Sequence, residues 1–230
     1  MTTQRNRDPM LSIPTNRILI FGFLAFILIG LEQGVLGLFV AELGQHFNRS
    51  PKDLGLFFAL HGIGSGLVTA VALVSWVERI NSKRIALSSL ALGLGSGLIV
   101  VGDSWHLKLI AAPLLGIGFG GLSMSFNTLF VTYFSQKNAS LLNVLNATYG
   151  IGAVAAPWLL SRDLLAGSEL FNVIALLSFI VLVGAWTIDD RIPSHTHTDT
   201  TSSTTTSVYP ILLVAFLILF IEAAFTYWMP

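Results

Sequence analysis

The chain has no cysteine and very little charge. Without cysteine there can be no disulfide and no thiolate metal site. Asp, Glu, Lys and Arg make up only 10% of the 230 residues, against about 25% in soluble domains. A soluble fold of this size could not cover its surface with so few charges. The 12 basic and 12 acidic residues cancel, so no electrostatic footprint calls for a nucleic acid. The five histidines fall in separate segments with no metal-ligand pair on one helix, and nothing groups residues into a catalytic cluster. Neither an enzyme nor a cofactor is expected.

The chain is instead rich in long apolar runs, with 53% hydrophobic residues. A helix needs about 20 mostly apolar residues to cross a bilayer, and on that basis seven spans are predicted, at 18–40, 54–77, 85–102, 108–134, 141–161, 168–188 and 209–229. Arg5, Arg7 and Arg17 before the first run resemble the start of a signal peptide. The run that follows is too long for an h-region, so it reads as a retained membrane helix. Within the spans the backbone must be helical, because lipid offers no partner for free N–H and C=O groups.

Two of the runs share a pattern. Ala25-Phe26 is followed by Glu32, and Ala215-Phe216 by Glu222, with the two stretches 190 residues apart. The chain therefore reads as a six-helix unit (18–188) after a cytoplasmic N-terminus (1–17). A Ser/Thr-rich cytoplasmic linker (189–207) follows, then the first helix of a second half (208–230). Membrane transporters are often built from such internal repeats. The linker is too polar to bury a core, and its His195-Thr196-His197 reads as solvated chain. With the N-terminus in the cytoplasm, eight cationic residues lie inside: Arg5, Arg7, Arg17, Arg79, Lys83, Arg84, Lys137 and Arg191. Four lie outside: Arg49, Lys52, Lys108 and Arg162. The bias favours that orientation. Ser50-Pro51-Lys52-Asp53 supplies a start signal for the second helix, with Ser at the N-cap, Pro at N1 and an acid at N3.

Gly116-Ile117-Gly118-Phe119-Gly120-Gly121 matches the G-x-G-x-x-G dinucleotide pattern, which requires a preceding strand. Here it lies inside an apolar span, as do Gly62-x-Gly64-x-Gly66 and Gly93-x-Gly95-x-Gly97. Small residues at such depth let helix backbones approach closely. The run Gly150 to Pro157 predicts a tightly packed, kinked fifth helix.

Ionisable groups at membrane depth carry the functional signal. Glu32 lies mid-span in the first helix and Glu222 deep in the seventh. A charge at the bilayer centre costs about 2.5–3.5 kcal/mol on insertion scales, so it is expected to face a partner or an aqueous cavity. Glu32 is the leading candidate to contact a polar solute or to carry a proton, with a structural interhelical hydrogen bond as the alternative. His61 is a candidate proton relay or a packing histidine. Asn127 and Asn146 are candidates for lining a polar cavity, ahead of Asn143, which lies nearer a helix end. For each the alternative is a hydrogen bond between helices. Gln33 is expected to point about 100° away from its neighbour Glu32, so the two should not both face one cavity squarely.

On these residues the chain resembles the major facilitator superfamily. The first six spans are similar to its N-terminal half, and 189–207 to its central loop. Ser75 to Arg84 occupies the place of its signature loop, retaining Glu78 and the basic Lys83-Arg84 end. Within the superfamily the chain looks most like the fucose permease-like sugar transporters. The resembling residues are Gly116-x-Gly118-x-Gly120 with Asn127, Leu142-Asn143, Tyr149-Gly150-Ile151-Gly152-Ala153, Pro157, and Glu222 with Trp228. Where that branch often has a histidine before the fifth-span glycines, this chain has Asn146-Ala147-Thr148.

The resemblance implies an all-α integral membrane fold, a six-helix major-facilitator-type bundle plus the first helix of the second half. It also implies proton-coupled secondary transport of a small sugar-like solute across a plasma membrane by alternating access. The partners are then the solute, a proton and the lipid bilayer, with a second half-transporter if the chain ends at Pro230. The chain is expected to be a fragment of a longer transporter. The rival readings are a non-transporting membrane interaction protein or inactive remnant and, less favoured, a membrane enzyme.

Overall fold

A computed structural model describes residues 13–74, 81–134 and 138–188. The predicted linker, the seventh span and Glu222 lie outside these residues, as does most of the signature-like loop. The described chain forms six α-helices: α1 (Ile13–His46), α2 (Pro51–Val74), α3 (Asn81–Val100), α4 (Trp105–Tyr133), α5 (Asn138–Ser161) and α6 (Gly167–Ala185). All six are long and apolar enough to cross a membrane, so the all-helical membrane fold read from the sequence is the one observed.

The helices run beyond the apolar segments that announce them. α1 has 34 residues and is therefore roughly 50 Å long, whereas the hydrocarbon core is about 30 Å thick. Hydropathy marks only the turns suited to lipid, and the helix continues through its polar ends. α1 stops where Asn48 adopts a left-handed φ of 50°, a common way to end a helix. The start of α2 is the capping box expected there. Asp53 N–H donates to Ser50 Oγ (3.3 Å), and Ser50 N–H donates to Asp53 Oδ2 (3.1 Å).

α1 packs chiefly against α5, and α4 lies between α2 and α3, with α3 also covered by α6. Glycine makes these crossings close. A Cβ added to Gly116 would run into the backbone carbonyl of His61 on α2, and one on Gly120 would lie 2.6 Å from Ser65 Oγ. Two residues away, Gly118 abuts the backbone of Leu92 on α3. One glycine-rich turn thus seats α4 against two neighbours at once, and the dinucleotide-like pattern is a helix-packing device. Gly62, Gly66, Gly97 and Gly150 meet nothing within 4 Å among the described residues, so only part of the glycine signal encodes these contacts.

The α1–α5 crossing carries a further detail. Pro157 has no N–H, so the carbonyl of Ala153 has no donor four residues on. Gly34 lies over that oxygen, 2.5 Å from where its own Cβ would be. The missing side chain lets α1 close over the carbonyl that the proline leaves free.

Lys108, counted among the outside cations at the head of the fourth span, lies in the first turns of α4 and is buried, only 3% exposed. Its ammonium donates to Ile99 O (2.6 Å) and Gly102 O (2.8 Å), carbonyls at the end of α3. Such carbonyls lack helical partners, and this demand draws the cation inward. Lys108→Met should destabilise the bundle by about 1–3 kcal/mol through the acceptors it orphans. Thermal melts of the chain in detergent would check this, and an unchanged midpoint would show that water replaces the ammonium.

Candidate functional site

The sequence pointed separately to Glu32 on α1 and His61 on α2, and the structure brings them together. Glu32 is fully buried and His61 is 6% exposed. His61 Nε2 lies 3.2 Å from Glu32 Oε1. The other carboxylate oxygen, Oε2, accepts a hydrogen bond from Gln33 Nε2 at 2.8 Å. Gln33 Nε2 is also 3.4 Å from His61 Nε2. The expectation that Gln33 turns away is therefore wrong. Its Cα does point to another face, but three side-chain torsions bring the amide back to the acid beside it.

Two aromatic rings extend this polar group. Phe119 on α4 stands 6.0 Å from the His61 ring, and Tyr149 on α5 stands 6.5 Å from Phe119. Both separations fall within the range of interacting aromatic pairs. Gln33, Phe119 and Tyr149 are half-buried, so the partly accessible side of the site consists of one amide and two rings. Sequence reasoning proposed none of these three as a site residue: Gln33 was expected to face elsewhere, and Tyr149 entered only through the family-like run 149–153. Tyr149 had a usable signal, as a phenol at membrane depth beside a glycine. Phe119 had a weaker one, as the single aromatic within Gly116–Gly121.

Glycine crossings place each of these groups. Gly116 seats α4 on the His61 carbonyl, and Gly30 seats α1 on the Tyr149 carbonyl. The residues next to these contacts inherit their positions, so the packing that closes the bundle also assembles the site.

The two asparagines do not join the dyad. Asn127 Nδ2 donates to Ser123 O at 2.9 Å and Asn146 Nδ2 to Leu142 O at 3.0 Å, each within its own helix. Asn146 is exposed, one helical turn from Tyr149, while Asn127 is half-buried two turns beyond Phe119. Among the described residues no three His, Asp or Glu side chains group as metal ligands.

A buried acid–imidazole pair inside a bundle of six membrane-length helices defines a class, that of polytopic membrane proteins with a polar site at membrane depth. The chain belongs to the major facilitator superfamily, whose model matches residues 22–230. It is similar to the glucose/mannose transporter GlcP of Bacillus subtilis (strain 168), with 23% identity over 172 residues, covering 74% of this chain and 42% of that protein. It is also similar to the uncharacterized MFS-type transporter YfiU of the same organism, with 27% identity over 130 residues, covering 55% of this chain and 25% of that protein. The chain thus spans less than half the length of these relatives.

Proposed function

We propose that this chain contributes the solute-contacting half of a proton-coupled transporter for a small, hydroxylated, sugar-like solute. It would work by alternating access in a plasma membrane, with its N-terminus in the cytoplasm. The carrying observation is the fully buried Glu32, held by His61 and Gln33 beside Phe119 and Tyr149. Hydroxyl groups would exchange hydrogen bonds with the Gln33 amide and the acid, while the rings offer apolar faces to a sugar ring. An acid at this depth is costly unless it serves a partner or a pathway. The name of GlcP supports a hexose, and the likeness of several motifs to fucose permease-like sugar transporters points the same way. Opposite this bundle a second six-helix half would form the other wall of the path.

The test is uptake of labelled glucose or mannose, under an imposed pH gradient, by lipid vesicles that hold this chain joined to a second six-helix half. Glu32→Gln should reduce gradient-driven uptake at least about tenfold, the loss of roughly one charged hydrogen bond. A Glu32→Gln chain that carries hexose normally and stays proton-coupled would refute the proposal. A parent chain that neither binds nor moves hexose would favour the reading as a membrane interaction protein.

A further inference from the structure

One end of the bundle carries cations without acids among the described residues. Successive helices cross in opposite directions, so α1 and α3 begin, and α6 stops, on the same face. Arg17 stands in the first turns of α1, and Lys83 and Arg84 open α3. The described acids are Glu32, Glu42, Asp53, Asp103, Asp163 and Glu169, and all lie at mid-depth or toward the opposite face. Asp189 and Asp190 follow α6 in sequence, outside the described residues.

The end of α6 does not use up these charges. Gly184 O accepts from the N–H and the hydroxyl of Thr187. Val183 O accepts from Trp186 N–H, and Ala185 O from Ile188 N–H. Arg17 gives one N–H to Thr187 O at 3.2 Å, and a guanidinium has five. Lys83 is exposed and makes no hydrogen bond or ion pair among the described residues. Its level follows from the helix register. A Cβ on Gly93 of α3 would lie 3.4 Å from Ser178 Cβ of α6. Lys83 is ten residues before Gly93, roughly 15 Å along α3, and Trp186 is eight after Ser178, roughly 12 Å along α6. Cation and indole therefore stand at nearly one level.

Beneath them runs an apolar ledge. Leu176, Phe179, Val183 and Trp186 are all exposed, and their spacing of three and four residues makes one stripe along α6. The stripe covers ten residues, roughly 15 Å, or about half the hydrocarbon thickness. Trp186 closes it at 82% exposed, where an indole at the membrane–water interface belongs.

We infer that Arg17, Lys83 and Trp186 form a site for the head group of an anionic phospholipid, whose acyl chain lies along Val183, Phe179 and Leu176. A free phosphate would match the cations and leave the stripe without a role. A zwitterionic lipid would match the stripe but bring its own cation to Arg17. An anionic lipid meets both demands. The guanidinium fork suits phosphate oxygens in pairs, and its bond to Thr187 O already orients it. The site does not rest on the transport reading, and the leaflet it serves is cytoplasmic on the orientation proposed above.

The experiment is quenching of tryptophan emission by brominated lipid in phosphatidylcholine bilayers that hold the full chain. The chain has five tryptophans, so the Trp186 signal is the part lost in Trp186→Phe. Brominated phosphatidylglycerol should quench that part at an about twentyfold lower mole fraction than brominated phosphatidylcholine, the combined effect of two cations near anionic lipid. Arg17→Gln or Lys83→Gln should each reduce the preference about fivefold, and Arg17→Lys should keep most of it. Added salt should weaken it by screening. Should Arg17→Gln fail to fold, Lys83→Gln carries the test, because it leaves every described hydrogen bond in place.

Equal quenching by the two lipids in the parent would overturn the proposal, as would a preference indifferent to both Arg17→Gln and Lys83→Gln. Displacement of the lipid by glycerol phosphate would overturn it too, since the head group alone would then suffice. A preference gained only in Asp189→Asn/Asp190→Asn would give the cations to the linker acids instead. Hexose uptake enters none of these readouts, so the site and the transport reading stand or fall separately.

Discussion

His61→Leu should destabilise the folded chain by about 3–5 kcal/mol, the usual cost of leaving one member of a buried ion pair without its partner. Glu32 has no solvent exposure, so water cannot replace the imidazole at Oε1, and Gln33 serves only Oε2. The double variant Glu32→Leu/His61→Leu should recover most of this loss, because no isolated charge then remains and the apolar replacements pack. Chemical unfolding in detergent would measure all three variants as a cycle. The coupling energy between the sites should be at least about 1 kcal/mol, as expected for residues in contact. Equal instability of the single and double variants would mean that the pair contributes packing volume rather than mutual charge satisfaction.

Gly116→Ala should be nearly as damaging, although it adds only one methyl. The new carbon would collide with the His61 carbonyl and lie 3.0 Å from Ser65 N, both backbone groups of α2. Backbone cannot rotate aside as a side chain can, so the helices must separate. Overpacking of this kind costs about 1–3 kcal/mol. The same substitution at Gly66, which meets nothing within 4 Å among the described residues, should instead stabilise α2. Alanine exceeds glycine in helix propensity by about 1 kcal/mol. Opposite signs at the two positions, read from melting midpoints, are the expected result. A destabilising Gly66→Ala would reveal a neighbour on that face of α2.

Much of this was legible in the sequence because lipid permits few structures. The six helices follow from apolar length, and the start of α2 follows from Ser50, Pro51 and Asp53, whose hydrogen bonds are local. Helix ends without such a cap were misjudged, as at α1, which extends beyond 18–40 on both sides. Glu32 and His61 were legible as oddities of depth, but their pairing was not. It depends on how α4 holds α2 near α1, and so on glycines whose pattern does not say which neighbour they meet. Gln33 was misread because a long flexible side chain was treated as a fixed direction from the helix axis. Asn127 and Asn146 illustrate the converse. Each amide finds a carbonyl one turn back in its own helix, so a polar residue at membrane depth need not seek another helix.

Gly30, Gly34 and Gly116 set backbone against backbone, and rigid stops of this kind have little play. Side chains that interlock can change rotamer and let a joint loosen by fractions of an ångström. A carbonyl meeting a bare Cα offers no such freedom. The helices that carry the acid and the imidazole are therefore each held to a neighbour, α1 to α5 and α2 to α4, by the least deformable parts of the chain.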